Sequence, residues 1–187
     1  PASPVVCYLS NNKYSLMVTS DGDGFSKYMN MMVYRFRADI HANTGQYIYI
    51  RDHGTGKFWS NTYHPTRTDP DEYQAIFSPY KAEFKRRDGD ISTHTQMSLS
   101  PGHNIEIRKV KLTNHSNENK RLEITSYLEV VADSHMAELR HPAFNKLFIE
   151  SEFINEHNIF LSKRRSGKTG EKLYLMHTVK TDRKLLK

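Results

Sequence analysis

The clearest pattern in this chain is a period of two. Between Arg121 and Glu150, Leu122, Ile124, Ser126, Leu128 and Val130 fall on one side, and Glu123, Thr125, Tyr127 and Glu129 on the other. That alternation predicts a half-buried strand. It stops at Ala132–Arg140, a polar excursion, and apolar character returns at Leu147, Phe148 and Ile149. Two strands around one long functional loop are expected there. Elsewhere, strand-like runs occupy Tyr14–Thr19, the stretch from Val33, Tyr47–Ile50, Tyr73–Phe77, Ala82–Arg86 and Ile91–Leu99. Others follow at Ile105–Leu112, Ile159–Ser162 and Leu173–Val179. The apolar phase slips between Ile107 and Val110, which predicts a β-bulge. Asp21-Gly22-Asp23-Gly24 and Arg87-Asp88-Gly89-Asp90 are turn signals, and Arg51–Lys57 forms the tip of a hairpin leading to Phe58 and Trp59. About ten strands and no amphipathic helix are predicted, so the class is all-β and the architecture an antiparallel β-sandwich.

A length of 187 residues suits a single domain over residues 1–187. Eleven Tyr and nine Phe agree with a sheet protein. The formal net charge is +6, but the basic residues are scattered, which favours a solvated surface over a nucleic-acid partner. One cysteine, Cys7, rules out an internal disulfide and points to a reducing compartment. No apolar run is long enough to cross a bilayer, and no signal peptide is apparent. The ends of the chain read as those of a piece excised from a much larger multidomain protein.

The motifs do not make an enzyme. Ser162–Thr169 approximates a phosphate-binding P-loop, but Ser stands at its first glycine and strand periodicity follows where a helix should open. Asp21–Gly24 lacks the further acidic ligands of a calcium loop. The ten histidines show no zinc spacing. No catalytic residue, metal ligand or cofactor is expected. The most site-like group joins glycines, aromatics and Arg/Asp pairs: Gly22, Gly24, Phe25, Ser26 and Tyr28, then Arg37 and Asp39, then Arg51, Asp52 and Trp59. Glycine permits close backbone approach, and aromatic faces beside Arg/Asp groups suit sugar rings and hydroxyls. An ordinary turn with core aromatics accounts equally well for these residues.

Several segments carry a resemblance. They are LSNNKYSLMVT from Leu9, GDGFS from Gly22, YIRD from Tyr49, GKFWS from Gly56 and AEFKRRD from Ala82. EIRKVKLTN from Glu106, TSYLEVV from Thr125, HPAFNKLF from His141 and KRRS from Lys163 continue the series. In this order they resemble the N-terminal β-sandwich domain of glycoside hydrolase family 94 (formerly glycosyltransferase family 36), in particular its cyclic β-1,2-glucan synthase branch. Two tryptophans usual in the family are replaced, at Tyr28 and Phe36. The resemblance implies a supersandwich of the galactose-mutarotase kind. It implies a non-catalytic, carbohydrate-associated domain that supports and caps a downstream (α/α)6 barrel, where phosphorolysis of β-glucan takes place. A homodimer is a further implied partner, and the parent protein is expected at the cytoplasmic face of a bacterial inner membrane, anchored by segments outside this chain. The alternatives are a stand-alone mutarotase-like epimerase, which would need a His acid and a carboxylate base in one cleft, and a simple carbohydrate-binding module.

Overall fold

The computed structural model describes residues 4–37, 44–165 and 173–182. These residues form fifteen strands, two short helices and one 3-10 turn. One sheet holds β1 (Val6–Ser10), β2 (Tyr14–Thr19), β3 (Gly24–Tyr28), β4 (Met31–Tyr34) and β12 (Val130–Ser134), in that order. A second runs β10 (Glu106–Asn114), β9 (Ile91–Leu99), β8 (Lys81–Asp88) and β7 (Glu72–Ser78). A third places β5 (Gln46–Asp52) between β11 (Leu122–Leu128) and β6 (Phe58–Ser60), and a fourth runs β13 (Ile149–Ile154), β14 (Ile159–Arg164), β15 (Tyr174–Thr178). Their pairings are antiparallel.

The all-β sandwich expected from the alternation is what forms. Cys7 and Leu9 of β1 and Leu16 and Val18 of β2 meet Ala82, Phe84 and Met97 of the opposite sheet. Farther along, Ile50 and Trp59 face Ile91, with Leu112 and Leu122 closing the cluster. Each Leu, Ile, Val, Phe or Met among them contributes about 1.5–3 kcal/mol on leaving water. Several strands were invisible as alternation for a physical reason. β1 is apolar on both faces, with Val6 and Tyr8 exposed. In β3 the inward positions are Gly24 and Ser26 rather than apolar side chains.

Two expectations need correction. The bulge predicted between Ile107 and Val110 is absent: β10 pairs with β9 without a shift from Glu106 opposite Leu99 to Asn114 opposite Ile91. The phase slips because Glu106 and Arg108 occupy inward positions, as an ion pair with Nε to Oε1 of 2.6 Å. A register shift does occur in β12, between Val130 and Asp133, where Ala132 has φ of +50°. The polar excursion, read as a loop without helix, instead holds α1 (His135–Arg140), and α2 (Pro142–Lys146) follows directly after it. Ser134 caps α1 by accepting a hydrogen bond from the Ala137 amide at 3.2 Å, and Pro142 begins α2. Helices of six and five residues that bury Glu138 and Asn145 carry no apolar stripe to read.

Candidate functional site

The glycine turn between β2 and β3 is held from several sides. Gly22 has φ of +100°, and a Cβ there would overlap the Thr62 side chain. A Cβ on Gly24 would overlap the Met17 carbonyl. The Asp23 carboxylate accepts a hydrogen bond from the Tyr47 hydroxyl and shares a 2.6 Å hydrogen bond with His64 Nδ1. The His64 amide in turn donates to the Asp21 carbonyl at 2.7 Å. Asp23 and His64 are 41 positions apart, so nothing local in the sequence announces their meeting. Theirs is one of the His–carboxylate pairs among the described residues, beside His53 with Glu123 at 3.0 Å and His94 with Glu83 at 2.9 Å. The Asp23 carboxylate is occupied on both oxygens, and the pair joins two loops as a clamp.

Ser26 is fully buried and shares a 3.0 Å hydrogen bond with the Tyr34 hydroxyl. It also donates to Glu106. Tyr14 donates to Glu106 at 3.1 Å, and Arg108 donates to the Gln46 carbonyl at 2.7 Å and to the Tyr34 oxygen at 3.0 Å. This network ties β2, β3 and β4 to β10 across the sandwich. Burial, reinforced by the negative charge of Glu106, raises the Tyr14 and Tyr34 hydroxyls well above their ordinary range. Nearby, Ser126 and His177 share a 2.7 Å hydrogen bond, and burial beside Arg108 lowers the His177 ring. The inward charges of β10 were the signal for this network; the slip in apolar phase marked their place.

The other predicted site residues fall into separate neighbourhoods. Phe25 meets Phe36 edge-on at 5.2 Å, and both Phe25 and Tyr28 pack against the cluster of Tyr14, Val33 and Tyr34. Arg37 grips both oxygens of buried Glu138, the second contact being 2.7 Å, and Arg35 Nε adds a third at 2.7 Å. Asp39 lies outside the described residues. Asp52 is buried and accepts the Gly54 amide at 2.8 Å; that hydrogen bond holds its carboxyl below the usual range. Trp59 is core, with its indole N–H buried and unpartnered among the described residues.

Arg51 differs from the rest. It is exposed on the outer face of the β11-β5-β6 sheet, and its guanidinium makes no hydrogen bond or ion pair with the described residues. Pairing sets it beside Glu123 and Phe58, and Tyr49 beside Thr125. Tyr49, Arg51, Gly56, Phe58, Glu123 and Thr125 line a shallow depression of about 550 Å³. Phe58 is 59% exposed, and Tyr49 meets Tyr127 edge-on at 6.4 Å. An aromatic floor with a guanidinium, a carboxylate and a hydroxyl at its rim has the chemistry to stack on a ring and bond its hydroxyls. Sequence reasoning picked Arg51 but missed Tyr49, Phe58, Glu123 and Thr125; only the register brings these together.

The sequence model of the glycosyl hydrolase 94 supersandwich domain matches residues 1–185. The chain belongs to that family. Its supersandwich is 32% identical, over 164 residues and 87% of the chain, to the cyclic beta-(1,2)-glucan synthase NdvB of Rhizobium meliloti. It is also similar to the solabiose phosphorylase of Paenibacillus borealis, 23% identical over 68% of the chain. The N,N'-diacetylchitobiose phosphorylase of Vibrio furnissii is 25% identical over 72%. The supersandwich spans 6% of the synthase and 16% and 18% of these two phosphorylases.

Proposed function

We propose that this supersandwich is the non-catalytic, carbohydrate-associated domain of a cyclic β-1,2-glucan synthase. Its role is to support and cap a downstream (α/α)6 barrel that performs glucan phosphorolysis. The similarity to the Rhizobium synthase along 87% of the chain carries this reading; the phosphorylase relatives are less identical and cover less of it. The depression around Arg51 is the surface offered to β-glucan, because its aromatic faces and its free guanidinium are solvent-accessible. Gly22, Gly24 and Ser26 position the turn from within, and Phe25, Tyr28, Arg37 and Asp52 are committed to neighbours. A homodimer, and attachment of the parent to the cytoplasmic face of a membrane, belong to the same proposal. No helix among the described residues is long and apolar enough to cross a membrane.

The test is made in the full-length enzyme. Tyr49→Ala with Phe58→Ala should alter the length distribution of the glucan product while the protein stays folded. Phe25→Ala with Tyr28→Ala should act mainly through stability. Unchanged product length in the first variant would remove the glucan surface from this face.

A further inference from the structure

The outer face of the β7–β10 sheet holds a charge arrangement that glucan contact leaves unused. Register aligns Gln74, Lys85, His94 and Lys111 in one row across the four strands. The adjacent row is Glu72, Arg87, Ser92 and Thr113. Lys85 of β8 and Lys111 of β10 flank His94 of β9 on either side. Directly opposed residues on neighbouring strands stand about 5 Å apart at Cβ, so the two lysines stand about two strand spacings apart with His94 between them.

The nearby carboxylates do not relieve them. Glu83 is taken by Lys81 Nζ at 2.6 Å, Gln96 at 2.8 Å and His94 Nε2 at 2.9 Å. Those contacts, that of Lys81 foremost, hold its carboxyl down at about 2. Asp88 bonds Arg86 through both oxygens, at 2.7 and 2.8 Å, and Glu72 faces Arg87 at 3.5 Å. Lys85 and Lys111 therefore have no counter-charge among the described residues. Both are exposed, and with Arg87, His94, Thr113 and, at the rim, the Glu72 carboxylate they line a cleft of about 400 Å³. Two exposed ammoniums without a protein counter-charge, set on either side of one cleft, give it a positive potential that favours an anion.

We propose that this cleft binds a phosphate group. The Lys85 and Lys111 ammoniums would donate to its oxygens from two sides, with the Thr113 hydroxyl and the Gln74 amide at the rim. The group could be supplied by a soluble phosphate or phosphate ester, or by a phospholipid headgroup, and the chemistry of capture is the same. The site is independent of the glucan surface, which lies on another sheet.

The intact protein is titrated with inorganic phosphate and glucose 1-phosphate at low salt, followed by the amide shifts of β8, β9 and β10. It is also sedimented with vesicles of phosphatidylglycerol and, as control, of phosphatidylcholine. Binding should fall by more than about tenfold in the K85Q/K111Q variant, the loss expected for two charge-assisted contacts. It should be unchanged in K57Q, an exposed lysine in the turn between β5 and β6. Shifts with the soluble anions assign a soluble source; binding confined to the phosphatidylglycerol vesicles assigns a headgroup. Absence of binding in both arms, or equal binding by the wild type and K85Q/K111Q, overturns the proposal.

Discussion

The chain up to Ala132 and the segment from Asp133 onward are held together by different physics. Among the described residues, every buried apolar side chain lies at or before Ala132. Beyond it the buried residues are Glu138, Asn145 and Ser162, all polar. Arg164 illustrates how that segment is tied down: it bridges Asp133 at 2.9 Å, donates to Asn145, and lies 5.2 Å from the Phe148 ring. Phe144, Leu147, Phe153, Phe160 and Met176 meanwhile remain exposed. The first region is stabilised by removing apolar surface from water, which salt hardly weakens. The second leans on ion pairs and hydrogen bonds, which respond to salt and acid.

The sharpest way to separate the regions is Phe84→Ala, which empties a fully buried core position. It should cost about 3–5 kcal/mol by denaturant unfolding. Glu138→Gln should cost about 2–3 kcal/mol, since it removes charge-assisted contacts to Arg35 and Arg37. That loss should appear as faster hydrogen exchange in α1, α2 and β14, with little change around Phe84. Equal loosening of both regions would erase the distinction.

Acid gives a smaller, graded effect. Burial works to raise the Glu138 carboxyl, but the hydrogen bonds and charges of Arg37 and Arg35 prevail and hold it below its ordinary value of 4.5. Because the folded value lies below the unfolded one, the stabilisation is present above pH 4.5 and is lost as pH falls through the folded value. Lowering the pH below 4.5 should therefore raise hydrogen exchange in the helices while the sandwich core stays protected. The smallest effect is expected at Phe160→Ser, where a ring 53% exposed should contribute no more than about 0.5 kcal/mol.

The same division explains what was legible in the sequence. The Asp21–Gly24 turn and the Asp88–Asp90 hairpin could be read because turn chemistry leaves local marks. The alternation through Val130 was only partly right: β11 ends at Leu128, its Leu122, Ser126 and Leu128 are half-buried, and Ile124 is exposed. β10 could be read but was misjudged: its inward Glu106 and Arg108 look like a lost phase until their ion pair is seen. α1 and α2 could not be read, since they bury polar side chains. The Asp23–His64 clamp and the depression around Arg51 depend on loops and strands distant in sequence, and only tertiary register assembles them.

The central claim is that the outer face of β5, β6 and β11 meets glucan. Its most direct test is a titration of the protein with a linear β-1,2-linked gluco-oligosaccharide, followed residue by residue by NMR. The account predicts shifts concentrated at Tyr49, Arg51, Phe58, Glu123 and Thr125, abolished by Tyr49→Ala with Phe58→Ala. No perturbation at saturating sugar, or perturbation confined to the Gly22–Tyr28 turn, would contradict it.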